Sequence, residues 1–216
     1  MIPVALTTGP FNLEEARRHG LTKDHLLGAS WRRLGGGVYA LRAIANNPDV
    51  VLAAASRRLT MSAVFSGRTA GWLHGLDLPP CDPVEVTLPL GSYTSRLTGI
   101  VLRRSEVGPS ERVRRRGHPT TSAVRTVADL GRRLPLVEAV AALDMALHER
   151  LLRSDDLRSW VCSHPRYPGL ARLRRAIELA EPATESVMET RLRLLLVIAA
   201  QGRKRRFLSS TKPAIS

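Results

Sequence analysis

Two periods of apolar residues run through this chain. In short stretches of its first half they alternate, as at Val84, Val86 and Leu88, the period of a strand with one buried face. Beyond Ser122 they recur every three or four positions, as at Leu170, Leu173, Ile177 and Ala180, with Arg172, Arg174 and Arg175 mostly off that stripe. The second pattern predicts helices over 123–130, 136–151, 155–161 and 170–179, and a last one beginning near Ser186.

The first half is more densely punctuated. Asn12 stands where a helix cap belongs, Glu15 completes a capping box three residues on, and Gly20 suits a left-handed stop. Thr22 can cap a second short helix over 23–27, closed by Gly28. Two short helices about a glycine turn make a helix-turn-helix pattern. "SWRRL" and "VYAL" then read as strands joined by Gly35, Gly36 and Gly37, which are free to take positive φ. Asn47 as cap with Pro48 at the first helical position opens a further helix, and Ser66 caps another. "TGIVLRRS" is the partner of the Val84–Leu88 strand across a loop too long for a two-residue hairpin.

The fold expected is therefore α+β and mostly helical, with an N-terminal winged helix-turn-helix followed by an α+β and helical domain. Its parts are a winged-helix head at 1–42, a middle domain at 48–181, a further helix at 182–200 and a basic tail at 201–216 that lacks periodicity and reads as disordered.

A length of 216 residues, with 44% hydrophobic and 24% charged residues, fits a folded protein with a sizeable core. Charge changes the picture. The 33 Lys+Arg against 19 Asp+Glu leave a net charge of +14 and a pI near 11.3. Such a field favours polyanions, nucleic acid first and anionic membrane second. The excess is spread along the chain, so its place of action has to come from motifs. Lysine occurs only at Lys23, Lys204 and Lys212, which a GC-rich coding bias would also produce. Cys81 and Cys162 are isolated, without CxxC or Cys/His ligand spacing. The opening "MIPVALTTGP" has neither the charged start nor the apolar core of a signal peptide. The longest apolar run, "LLLVIAA", is far short of the roughly 20 residues of a membrane span. The expectation is a cytoplasmic protein with reduced thiols, no membrane contact and no cofactor.

A winged helix lays its second helix in the major groove and its hairpin against the neighbouring backbone or minor groove. Thr22, Lys23 and His25 supply donors at the exposed start of that helix, while Leu26 and Leu27 face the core. Arg32 and Arg33 are placed to clamp phosphates, and alternation sends them to opposite faces, so at most one points at DNA from the strand proper. Gly35 and Gly36 let the tip approach closely, and Trp31 and Tyr39 pack the hairpin. Arg114, Arg115 and Arg116 of "RVRRR", with Arg203 and Lys204 of "RKRR", are secondary phosphate contacts, although a charge run also serves as a solvated face. The partner these residues imply is double-stranded DNA.

Enzyme readings find little support. Ser66, His74 and Asp77 are close in sequence, but no nucleophile-elbow motif GxSxG accompanies them. Asp82 and Glu85 lack the lysine of a nuclease-type metal motif and read as turn and strand-start residues. Arg125 and Asp129, four apart, read as an intrahelical ion pair, and Ser186 with Glu189 as a capping box.

Five stretches, "FNLEEARRHGLT", "WRRLGGGVYAL", "SGRTAGWLHGLDLP", "TTSAVRTVADL" and "ESVMETRLRLLL", together resemble the AbiEi-type antitoxins of type IV toxin–antitoxin (abortive infection) systems in actinobacteria. The most specific are the wing Gly36-Gly37-Val38-Tyr39, the "SGRTAGWLHGL" run, and Arg125, Thr126, Asp129 and Leu130. The resemblance implies a transcriptional regulator that binds DNA through a winged helix, represses its own operon and counters a nucleotidyltransferase-like toxin without a tight complex. Such winged helices usually begin with another helix, for which "MIPVALTTGPF" is too short and proline-bounded, so the start lies late or that helix is missing.

In many such proteins a very-short-patch-repair-like endonuclease domain follows, and "ETRLRLLL" is similar to its opening helix, with Glu189 matching an early acidic residue. "QGRKRRFLSSTKPAIS" replaces the strands that should carry further acids, and it looks truncated or frameshifted. One Glu cannot hold a catalytic cation. The expectation is a regulator that is not an enzyme. The alternative is a non-catalytic remnant of the endonuclease-like family, acting as an interaction module or without function.

Overall fold

The computed structural model describes residues 2–94, 96–181 and 188–196. The chain divides into two units, Met1–Ser122 and Ala123–Ser216, a boundary that falls inside the stretch 48–181. The architecture is α+β, with two small sheets in the first unit and, among the described residues, helices alone in the second.

The first unit opens with a short strand β1 (Phe11–Asn12), runs into α1 (Leu13–Arg18) and reaches a hairpin of β2 (Trp31–Gly35) and β3 (Val38–Leu41). Both β1 and β2 pair antiparallel with β3, making a three-stranded sheet. The capping box forms as predicted. Asn12 Oδ1 accepts from the Glu15 N–H at 2.9 Å, and Glu15 Oε2 accepts from the Asn12 N–H at 2.6 Å. Gly20 then turns the chain at φ +75°. Leu6, Phe11, Ala16, Leu26, Trp31 and Tyr39 form the core beneath, with Trp31 edge-on to Phe11 at 5.1 Å between ring centroids.

The predicted second helix is a correction. A single 3-10 turn, His25–Leu27, stands in its place. The seven residues between Gly20 and Gly28 are too few to offset the cost of nucleating an α-helix. Leu26 is 3% exposed and enters the core, whereas Leu27 is 76% exposed and does not.

The rest of the unit carries α2 (Pro48–Ser56), β4 (Val64–Phe65), α3 (Gly67–Leu73), β5 (Val84–Leu88), β6 (Ile100–Arg104), β7 (Arg112–Arg115) and β8 (His118–Thr121). Its strands form a mixed sheet in the order β6-β5-β4-β8-β7. The alternating Val84, Val86 and Leu88 are buried with Leu52, Phe65, Leu73 and Ile100, as their period predicts. β6 runs parallel to β5, from Val84 opposite Ile100 to Leu88 opposite Arg104, so the connection has to cross over and cannot be a tight turn. Asn47 caps α2 by accepting from the Asp49 N–H at 2.9 Å. Ser66 makes no side-chain cap bond to α3. The Glu85 carboxylate stands there instead, accepting from the Arg68 N–H at 3.4 Å.

The second unit contains α4 (Ala123–Arg133), α5 (Leu136–His148), α6 (Ser154–Ser163), α7 (Leu170–Leu179) and a helix at 188–196. Leu143, Leu157 and Leu173 are fully buried in its core. Arg125 and Asp129 pair at 3.2 Å with both side chains fully buried, the intrahelical ion pair their spacing predicts. Asp144 accepts from Thr190 Oγ1 at 2.7 Å and from Arg193 at 3.0 Å, which fastens the helix at 188–196 onto α5. Ser186 and the basic tail at 201–216 lie outside the described residues. Among the described residues no helix is long and apolar enough to cross a membrane.

Candidate nucleic-acid interface

Thr22 and His25 lock the turn that replaces the predicted helix. The Thr22 N–H donates to His25 Nδ1 at 3.0 Å, and the His25 N–H donates to Thr22 Oγ1 at 3.4 Å. A neutral imidazole that accepts at Nδ1 carries its proton on Nε2, so the second ring nitrogen is a donor. Thr22, Lys23, Asp24 and His25 are all exposed, and Leu26 anchors them to the core. Asp24 places a negative charge among these donors, so the turn is not a strong phosphate site by itself.

On the hairpin, Arg32 lies opposite Ala40 and Arg33 opposite Tyr39, and adjacent strand positions face opposite ways. Arg32 Nη1 donates to Asn46 Oδ1. The Arg33 side chain is exposed and makes no hydrogen bond or ion pair among the described residues. Arg42 braces the base of the hairpin, with Nε donating to the Ala29 carbonyl at 2.6 Å and Nη2 to that of Trp31 at 3.2 Å.

The tip glycines take positive φ, +95°, +54° and +74° for Gly35, Gly36 and Gly37. The close approach they serve within the molecule is to Arg58. A Cβ on Gly35 would lie 2.8 Å from its guanidinium carbon, one on Gly36 would lie 3.0 Å from its Nε, and the space beside Gly37 is open. Arg58 Nη1 donates to the Leu34 carbonyl at 3.0 Å and the Thr98 carbonyl at 3.1 Å, tying the hairpin to the loop before β6. Its Nε is buried without a partner, and burial holds the guanidinium below its usual range. Arg58 lines a depression of about 590 Å³ with Arg32, Arg33, Asn46, Cys81 and Asp82. Next to it, Arg57 clamps Glu15 at 2.6 and 3.1 Å, and this bond holds the Glu15 carboxyl below its usual range. Sequence reasoning missed both arginines. Their only signal was a pair of cations at the end of α2.

Arg114, Arg115 and Arg116 belong to a second hairpin, β7–β8. Arg115 pairs with His118 across a two-residue turn whose central residues, Arg116 and Gly117, sit at φ +47° and +78°. That is a type I′ turn, which matches the twist of its strands. Arg116 lies 4.2 Å above the Trp72 ring, and Arg115 Nε donates to His74 Nδ1 at 3.4 Å while His74 Nε2 bonds the Thr121 carbonyl at 2.7 Å. His74 is thus occupied on both ring nitrogens. Glu85 meets Arg103 at 3.6 Å in an ion pair beside α3. The remaining phosphate candidates, Arg203 and Lys204, lie outside the described residues.

No protein-family model matches the chain, and no curated protein does. Among solved structures it is similar to the crystal structure of the RV2827C protein from Mycobacterium tuberculosis, with 16% identity and a TM-score of 0.55, covering 81% of this chain and 73% of that one. A likeness at that identity is one of fold.

Proposed function

We propose that this chain is a DNA-binding transcriptional regulator of the AbiEi antitoxin type, with its first 42 residues acting as a winged helix and the β2–β3 hairpin as the wing. The observation that carries the reading is the hairpin itself: exposed Arg33, its side chain without a partner among the described residues, on a strand held by Trp31 in the core and by Arg42 at its base. A guanidinium held on a braced strand and left unpaired is a preorganised phosphate contact. The recognition element is a locked turn rather than a helix, so base contacts fall to Thr22, Lys23 and His25, and phosphate contacts carry most of the affinity. The resemblance supplies the biological setting, repression of the chain's own operon and opposition to a nucleotidyltransferase-like toxin.

The test is fluorescence anisotropy of the purified chain with duplex DNA from upstream of its gene, against a scrambled duplex, across a salt series. The expected result is preferential binding whose log affinity falls linearly with log salt. Arg33→Ala should weaken both duplexes alike and flatten the slope by about 0.9, the share of one phosphate contact. Lys23→Ala should instead narrow the difference between them. Equal, weak binding of both duplexes by the native chain would sink the regulator and leave a basic surface only.

A further inference from the structure

We propose that the β7–β8 ribbon is a second element that grips the phosphate backbone of duplex DNA, independently of the β2–β3 hairpin. It rests on the DNA-binding reading of the chain but uses none of that hairpin's residues. Arg112, Arg114, Arg115 and Arg116 are all exposed, and residues 112–121 include no acid. None of the four guanidiniums meets a carboxylate among the described residues. Arg112 donates to the Ser62 carbonyl at 2.6 Å, Arg114 to the Gly117 carbonyl, Arg115 to the His74 imidazole, and Arg116 stacks on Trp72. Arg18, Arg57, Arg103 and Arg158, by contrast, meet acids at Glu14, Glu15, Glu85 and Asp155. On the ribbon the side chains are held in place by neutral partners and keep their full charge for an outside anion.

The register selects the kind of anion. Cross-strand pairs share a face, so Arg112 with Thr121 and Arg114 with Pro119 look one way, Arg115 with His118 looks the other, and Arg116 occupies the tip. Cations on two faces and a tip diverge too far for one small anion. β7 is the outer strand of the five-stranded sheet, since β8 pairs with β4 on its other side, so the cations line a sheet edge and its turn. Strands of four residues make that edge about 13 Å long, and cations spread along it suit an extended polyanion whose charges recur, as phosphates do along a duplex backbone. A membrane surface is a poorer match, because membrane-seated elements pair their cations with exposed large apolar side chains and residues 112–121 present none. The turn adds rigidity. Arg116 is one of two non-glycine residues at positive φ among the described residues, and its guanidinium over Trp72 holds it there.

The experiment compares the full native chain, an Arg114→Gln/Arg115→Gln/Arg116→Gly ribbon variant and an Arg33→Ala hairpin variant on both duplexes across salt. Glycine accepts the positive φ at 116, and circular dichroism checks each fold. An Arg112→Gln/Arg114→Gln variant, which leaves the turn and Trp72 alone, takes over if the triple variant does not fold. The ribbon variant should lose affinity equally for both duplexes, keep their ratio, and flatten the log–log salt slope by about 0.9 for each phosphate contact removed. A folded ribbon variant with native affinity and slope overturns the ribbon alone. Loss in the ribbon variant with none in Arg33→Ala overturns the hairpin reading and leaves the ribbon standing. Failure of the native chain to bind any duplex overturns both, as does ribbon-dependent binding of phosphatidylglycerol vesicles with none of DNA.

Discussion

Asp129 holds three guanidiniums on one carboxylate, Arg125 at 3.2 Å, Arg132 at 2.6 Å and Arg133 at 3.5 Å, and it is itself fully buried. A buried network of this kind says little about net stability while intact, since desolvation offsets most of the attraction. Breaking it is another matter. Asp129→Asn keeps the shape and removes the charge on which Arg125, Arg132 and Arg133 converge. Unfolding of the second unit in urea should then fall by about 3–5 kcal/mol. Asp155→Asn serves as the contrast, because Asp155 and Arg158 are 73% and 62% exposed and such pairs contribute at most about 1 kcal/mol. Equal effects from the two substitutions would mean that the buried cluster is not what holds α4 to its neighbours.

At the scale of elements, the β2–β3 hairpin depends on a side chain that its own sequence does not contain. Gly35 needs both its φ of +95° and the space that Arg58 fills, whereas Gly37 needs only its φ of +74°. Gly37→Ala should therefore lower stability by about 1 kcal/mol, the strain of a left-handed alanine, and Gly35→Ala by clearly more. Thermal unfolding of both variants in Arg58→Ala and native backgrounds separates the two terms. If Arg58→Ala does not narrow the gap between the glycine variants, the guanidinium is not the obstacle. The same elements show what was legible beforehand. α1, α2 and the hairpin announce themselves through Asn12, Glu15, Asn47, Pro48 and three consecutive glycines, because caps and positive-φ turns are local demands. The second helix was over-read because Thr22 and Gly28 look like caps while the stretch between them is too short to pay for nucleation. β4, β7 and β8 went unread for a different reason. β4 has two residues, β7 puts arginine where a strand usually alternates apolar groups, and β8 contains Pro119.

Across the whole molecule, the +14 charge says that a polyanion is welcome and nothing about where. Location appears only when partners are assigned. Arg18, Arg57, Arg103, Arg158, Arg175, Arg191 and Arg193 meet acids, whereas Arg33 and the β7–β8 arginines meet none among the described residues. No residue count carries that asymmetry, so it was not legible in the sequence. It also coincides with two titrating groups. His74 is held below its usual range, first by burial and then by Arg115, against the pull of the Thr121 carbonyl. His118 is held low by burial as well, with Asp49 opposing and Arg114 adding to the effect. Both belong to the first unit. A histidine that binds protons more weakly folded than unfolded makes the unfolded chain the better proton acceptor as pH drops. Stability of the first unit should therefore decline from about pH 6.5, the ordinary histidine value, down to the lowered folded values. Within that window the loss is up to about 1.4 kcal/mol per pH unit for each histidine. Hydrogen exchange at pH 7.5 and 5.5, corrected for intrinsic rates, reads the two units separately. Protection in Met1–Ser122 should fall relative to Ala123–Ser216, and a His74→Gln/His118→Gln variant should lose that difference. An equal decline in both units, or one that survives the double substitution, would remove these imidazoles as the cause.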